Sequence, residues 1–366
     1  MAAIHEKIRE LRSSDAPLID FSIGDPREPT AAFVRQALLE SVPDVSQYPS
    51  AGGLPTTRQA IADYVERRFG TRVDPDTQII PTSGSKEAVF SSPLAFVNRS
   101  AGDVVIYATP GYPVYEAGAR MAGAEVHQVT LGGDFIFTAD MVPDDVWERA
   151  SMVWINTPHN PSGSVMQLDA LQGFYEKARA SKTLLCSDEC YVDLYEGEPP
   201  ASVLQVSGPG LTCVISYLSL SKRSGMTGYR AGAMVGDATA IAALKNLRTS
   251  TGTLSQEFVQ AAAIQAWSDD EHVVPRREIF AAKRSLLRDV FEDFGFETVA
   301  SHAGLYLWVR VGDDIAWTEK MLERYIVASP GSVFGPGGEG YMRFALVPTL
   351  EECKNAVEVL RECLTS

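Results

Sequence analysis

The sequence predicts an α/β fold, a mainly parallel sheet covered on both faces by helices. Three observations point there. Short, almost uninterrupted apolar runs recur along the first two thirds of the chain. Gly/Pro/Asn/Ser turns and helix-like stretches separate them. The chain has 366 residues, 45 % of them hydrophobic, so a large core is available. Strands apolar on both faces belong to parallel sheets buried between helices.

In chain order, strand-like runs lie at Asp103–Ala108, Ser151–Asn156, Thr183–Ser187 and Thr212–Leu218. A further strand-like stretch, AEVHQV, contains His127, which reads as structural. Leu168–Ala180 has a helical pattern. The last third changes character. Arg276–Phe294 carries Ile279, Phe280, Leu286, Leu287, Val290, Phe291 and Phe294 on one helical stripe, with Gly295 placed to end the helix. Strand-like runs follow at Phe296–Ala300, Leu305–Val311 and Tyr341–Val347. Thr349 with Glu352 forms a capping box before a final helix. The expected division is an arm at 1–30, a large domain at 31–267 and a smaller α+β domain at 268–366.

Charge and cysteine content narrow the function. With 32 Lys+Arg against 47 Asp+Glu, the net charge of −15 disfavours nucleic acid as the main partner. No apolar stretch is long enough to span a membrane. The start resembles neither a secretory signal nor a transit peptide. Five scattered cysteines suit a reducing, cytoplasmic setting rather than a disulfide framework. Cys186 and Cys190 read as buried structural thiols, because no second pair completes a zinc site.

The chemistry gathers at strand ends, where open α/β sheets bind ligands. Lys222 follows the run ending at Leu218. A lone lysine there would read as a surface residue, but this one has company. Asp188 closes another run, and a carboxylate buried there needs a cationic partner. Tyr191 lies three residues on. Asn160 follows a third run, and Arg230 stands eight residues past Lys222. The turn TSGSKEA, with Ser85 and Lys86, opens a helix and offers N–H groups to a phosphate. These are the parts that hold pyridoxal phosphate: a lysine for the Schiff base, an acid for the ring nitrogen, and donors for the phosphate.

Over nearly its whole length the chain resembles the fold-type I, class I/II aminotransferases. In SLSKRSGMTGYRAG the resemblance makes Lys222 the Schiff-base lysine, with Ser219 and Arg230 as phosphate ligands. In SDECY it assigns Asp188 to the pyridine nitrogen and Tyr191 to the ring hydroxyl, which Asn160 of NTPHNPSG also contacts. Tyr112 of ATPGYPVY would stack on the ring, and Ser85 and Lys86 would bind the phosphate. Tyr48 of QYPSAGGLP would reach the phosphate of a neighbouring subunit, which implies a homodimer with shared active sites. Arg343 of YMRFAL would clamp the substrate α-carboxylate, and Gly24 of FSIGDP would lie in a loop that closes over substrate. His159 reads as a loop-shaping residue.

Within the family, FSIGDPREPTAAF, YPSAGGLPTTRQAIADYVERRFG, VPDDVWERA and SLSKRSGMTGYRAG are most similar to bacterial succinyldiaminopimelate aminotransferases of lysine biosynthesis. That implies glutamate and 2-oxoglutarate as donor pair and N-succinyl-2-amino-6-oxopimelate as acceptor. Arg27 in the N-terminal loop is a candidate second cation for such a substrate, and Arg223, part of the likeness, is left open as a substrate contact. The alternatives are an aspartate, alanine or aromatic amino acid aminotransferase, a β-lyase on the same fold, or a non-catalytic pyridoxal-phosphate-binding regulator.

Overall fold

The computed structural model describes residues 2–13 and 17–365. Seven strands form the large sheet: β1 (Ile79–Thr82), β2 (Val104–Thr109), β3 (Glu125–Thr130), β4 (Ala150–Asn156), β5 (Leu184–Asp188), β6 (Val214–Ser219) and β7 (Gly232–Gly236). Their spatial order is β1-β7-β6-β5-β4-β2-β3. β2 to β6 pair in parallel, while β7 runs antiparallel to both β1 and β6. The four predicted apolar runs are β2, β4, β5 and β6, each displaced by a residue or two at its ends.

Alternation along β2 shows why both faces must be covered. Val104 and Ile106 enter one apolar cluster with Leu171 and Phe174 of the helix Leu168–Ser181. Val105 and Tyr107 enter another with Trp154 and Ile215. Side chains two apart share a face, so a strand apolar at every position serves two cores.

A second, antiparallel sheet holds β8 (Glu297–Thr298), β9 (Tyr306–Arg310), β10 (Ser329–Pro330) and β11 (Tyr341–Ala345), in the order β10-β11-β9-β8. The helices Val274–Asp293 and Leu350–Thr365 pack on it, burying Phe280, Leu287, Phe291, Cys353 and Leu360. The capping box forms as its sequence specifies: the Thr349 N–H donates to Glu352 Oε2 at 2.7 Å, and the Glu352 N–H donates to Thr349 Oγ1 at 3.2 Å.

The N-terminal segment belongs physically to this second unit. Ile19–Asp20 pairs in parallel with Ile326–Val327, and the Ala345 N–H donates to the Phe21 carbonyl at 2.7 Å. Glu28 pairs with Lys283, a fully buried lysine that also donates to the Leu346 carbonyl at 3.1 Å. Arg27 pairs with Glu352 instead of facing the cavity described below. Among the described residues, no helix is long and apolar enough to cross a membrane, and no group of acidic, His and Cys side chains is arranged to hold a metal.

Candidate active site

The carboxyl ends of β4, β5 and β6 meet the second sheet and the N-terminal segment around a cavity of about 620 Å³. Gly24, Ser85, Lys86, Tyr112, Asn160, Asp188, Tyr191, Ser219, Lys222, Arg230 and Arg343 all line it. Tyr48 does not, and neither do Arg27 and Arg223. The Tyr48 side chain is fully exposed.

Sheet register builds the centre. Asn156 of β4 pairs with Asp188 of β5, which pairs with Tyr217 of β6. Asn156 then works in two directions. Its Nδ2 donates to the Asp188 carbonyl at 2.7 Å, and its Oδ1 accepts from the Asn160 N–H at 2.7 Å, which pins the Asn160 loop to the sheet. His159 shapes the same loop through a 2.7 Å contact between Nδ1 and Ser162 Oγ, and burial pushes its pKa down to about 4.

Asp188 is buried, and burial raises its pKa. Its carboxylate accepts from Tyr115 Oη at 2.9 Å and from the Cys190 N–H at 3.3 Å, and no cation pairs with it among the described residues. Neighbouring Glu189 is a useful contrast, since three serine hydroxyls and the Val203 N–H hold its buried carboxylate. Asp188 therefore still needs a positive partner, and a protonated pyridine nitrogen is such a partner.

Lys222 lies on a single turn, Leu220–Arg223, directly after β6. Its Nζ donates to the Gly24 carbonyl. Burial, with the nearby Arg230 and Arg276 charges, pushes its pKa down to about 8 against the opposing pull of Cys190 and Asp25. A substantial fraction of the amine is then neutral near physiological pH, as a nucleophile or base requires.

Ser85 and Lys86 open the helix Ser85–Ser91, and Ser219, Ser221 and Arg230 face them across the cavity wall. Gly84 has φ +83°, a conformation that favours glycine, and a Cβ there would lie 2.3 Å from Arg230 Nη2. Arg230 itself sits at φ +58° and is exposed, with one hydrogen bond to the Thr227 carbonyl at 3.0 Å. Hydroxyls, helix-start N–H groups and an acid-free arginine form a donor set that fits a phosphate.

Arg343 is buried at the opposite end, between the Tyr306 ring at 4.4 Å and the Phe334 ring at 4.5 Å. Nη1 donates to Asn160 Oδ1 at 2.9 Å and Nη2 to the Ser22 carbonyl at 2.6 Å, while Nε has no partner. No carboxylate neutralises it among the described residues. Arg223, in contrast, points away from the cavity. It donates to Asp193 Oδ2 at 3.1 Å and Asp270 Oδ1 at 2.6 Å, beneath the Tyr64 ring.

The structure overturns two expectations, that Arg27 meets the substrate and that Cys190 is a buried structural thiol. Cys190 is half-buried and lines the cavity, because the turn after Asp188 brings it beside the lysine. Arg223 holds the lysine turn and takes no place in the cavity. The sequence reading also passed over Tyr115, Tyr306, Phe334 and Ser221. The first three are aromatic residues with no sequence mark to separate them from core. Ser221 was findable, since it stands between Ser219 and Lys222.

The family model for aminotransferase class I and II matches residues 16–360. An LL-diaminopimelate aminotransferase from Nostoc sp. is 34 % identical over 99 % of this chain and 95 % of its own length. A solved aminotransferase from Neisseria meningitidis superposes with a TM-score of 0.91 at 30 % identity, covering 100 % of this chain and 96 % of its own. A probable N-succinyldiaminopimelate aminotransferase from Thermus thermophilus gives a TM-score of 0.91 at 27 % identity, covering 99 % of each chain. The chain thus belongs to the class I and II aminotransferases of fold type I, and is a transaminase that uses pyridoxal phosphate.

Proposed function

We propose that this transaminase acts on a diaminopimelate-type amino acid, with glutamate and 2-oxoglutarate as the other pair, in lysine biosynthesis. The observation that carries this reading is the full-length likeness to proteins named LL-diaminopimelate aminotransferases. The unsuccinylated LL-diaminopimelate is favoured accordingly. The N-succinyl form is the second reading, supported by the likeness to the Thermus thermophilus structure.

Bound pyridoxal phosphate supplies an electron sink for the electrons of the substrate α-carbon–hydrogen bond. Ser85, Lys86, Ser219, Ser221 and Arg230 would hold its phosphate, and Asp188 would pair with its ring nitrogen. Tyr112 would pack on the ring, while Tyr191 and the Asn160 amide would serve its hydroxyl. Arg343 orients the substrate through its α-carboxylate, and Lys222 Nζ removes and returns the α-carbon proton. Gly24 and its loop cover the site.

The exposed Tyr48 fits a role on a neighbour's phosphate, hence a two-fold homodimer with shared sites. Mixing Lys222→Ala subunits with Tyr48→Phe subunits should then restore activity, and a fully active monomer would exclude the arrangement. The proposed organisation is an arm at 1–30, a large domain at 31–267 and a small domain at 268–366, in a reducing cytoplasm that suits five free cysteines.

Turnover with LL-diaminopimelate, N-succinyl-LL-diaminopimelate, aspartate, alanine and phenylalanine tests the substrate. The highest kcat/KM should belong to a diaminopimelate, and a best substrate among the other three overturns the reading. Release of pyruvate with ammonia would instead indicate a lyase. Lys222→Ala should reduce turnover by about 10³-fold or more, and turnover like the unaltered enzyme's would exclude the lysine's assignment.

A further inference from the structure

A second cavity, of about 400 Å³, adjoins the first, between the helix Ala2–Arg12 and β10. Ile4, Ile8, Ile23, Pro330 and Val333 give it apolar walls, and Arg9 and Arg12 also line it. Ser22 and Ile23 line both cavities, so the two adjoin at this point. Ile23 is 56 % exposed and Val333 40 %, a large apolar area left open beside a polar site.

Ser22 connects two guanidinium groups. Its carbonyl accepts from Arg343 Nη2 at 2.6 Å, and its Oγ accepts from Arg12 Nη2 at 3.0 Å. Asp20 fixes this arrangement. Its Oδ2 accepts from Arg12 Nε at 3.0 Å and Nη2 at 2.6 Å, while its Oδ1 accepts from the Ser22 N–H at 2.8 Å and Oγ at 2.6 Å. Arg12 Nη1 and the whole Arg9 guanidinium have no hydrogen-bonded partner among the described residues. Among the described residues, the charged side chains that line this cavity are Arg9 and Arg12, the latter paired with Asp20.

We propose that the second cavity receives the distal end of the substrate, its aliphatic spacer lying on the isoleucine walls and its terminal carboxylate meeting Arg12 and Arg9. The proximal carboxylate then sits on Arg343, one residue away across Ser22. This rests on the diaminopimelate-type reading, in which the free and the N-succinyl forms both end in a carboxylate beyond a flexible chain. Charge alone does not make the subsite, because a short acid such as aspartate held on Arg343 would not extend past Ser22.

The test compares 2-aminopimelate with 2-aminoheptanoate, which have the same number of carbons and differ in a terminal carboxylate or methyl. The unaltered holoenzyme should favour 2-aminopimelate in kcat/KM by about ten-fold or more. Arg12→Ala and Arg9→Ala should each lower that ratio several-fold, and Arg12→Lys should retain part of it. Both substrates share the same amino-acid end, so a general loss of active protein leaves the ratio unchanged. If Arg12→Ala does not fold, Arg9→Ala and Arg12→Lys carry the measurement. A ratio near one in the unaltered enzyme overturns the proposal, as does a ratio that none of the variants moves. Poor turnover of both diaminopimelates together with the expected ratios would reject the diaminopimelate reading and leave the subsite standing.

Discussion

Two buried arginines, Arg223 and Arg343, divide the molecule into regions of different kinds. Arg223, beneath the lysine turn, faces two carboxylates and the Tyr64 ring. Arg343, on the second sheet, faces two aromatic rings, an amide oxygen and a backbone carbonyl, with no carboxylate paired to it among the described residues. Burying a charge is costly unless an opposite charge and hydrogen bonds compensate. Arg223 is compensated within the fold and so does structural work. Arg343 is left incomplete, and the missing partner is an anion supplied from outside. Asp188 shows the same incompleteness with the opposite sign, at the position proposed to meet the cofactor's ring nitrogen.

The sharpest way to break this comparison is to remove each guanidinium and measure both activity and stability. Arg343→Ala should lower kcat/KM for the amino substrate by about 10²- to 10³-fold, the usual consequence of losing one partner of a buried charge pair. Its unfolding free energy should change little or rise. Arg223→Ala should behave in reverse as its primary effect, destabilising the protein by about 3–5 kcal/mol because Asp193 is left buried with less compensation. Chemical denaturation of both variants decides the matter. Equal destabilisation of the two would refute the distinction.

A pH measurement extends the comparison to Lys222. Its folded pKa of about 8 lies below the ordinary lysine value, so the unfolded chain binds more protons across the interval from about 8 to 10.5. Stability of the cofactor-free protein should therefore rise with pH through that interval, by an amount that Lys222→Met abolishes. Competitive labelling should place the Lys222 midpoint near 8, and Arg230→Ala should move it upward because one repelling charge is gone. A midpoint in the ordinary lysine range would contradict the burial account. The smallest effect is expected at Gly24, where an added Cβ would meet Tyr306 Oη at 2.7 Å. Gly24→Ala should raise KM by about three-fold with kcat less affected, a change of about 0.7 kcal/mol.

Much of the cofactor side was legible in the sequence, for a physical reason. Parallel strands buried on both faces are continuous apolar runs, and the residue types that end them are conspicuous against such a background. Asp188 and Asn160 stand out next to TLLCS and SMVWIN. β1 and β7 escaped notice because IIPT and GAMVG are short and carry proline or glycine. The substrate side was harder to read. Arg343 is marked by its motif, but of its two covering rings Tyr306 lies in the apolar run LYLWV, where an aromatic residue reads as core, and Phe334 in the Gly/Pro turn SPGSVFGPGG. Ser22, which joins Arg343 to Arg12, is an ordinary serine until the fold brings residues 12, 22 and 343 together. Arg223 and Arg343 look equivalent as letters, and only their neighbours separate them.

The attachment of the N-terminal segment has a consequence for the order in which the enzyme comes into being. Residues 19–30 leave the ribosome early, yet Lys283, Ile326, Ala345 and Val347, which hold them, are synthesised near the end. The seven strands of the large sheet are complete by Gly236, at which point the covering loop has partners at Lys222 and Gly225 but not yet its anchors in the second unit. Pairings this distant along the chain form late. A chain halted before about residue 340 would retain the residues proposed to hold pyridoxal phosphate but lack Arg343 and the Ala345 and Val347 contacts of the covering segment, so substrate selection is the last part of the site to be completed.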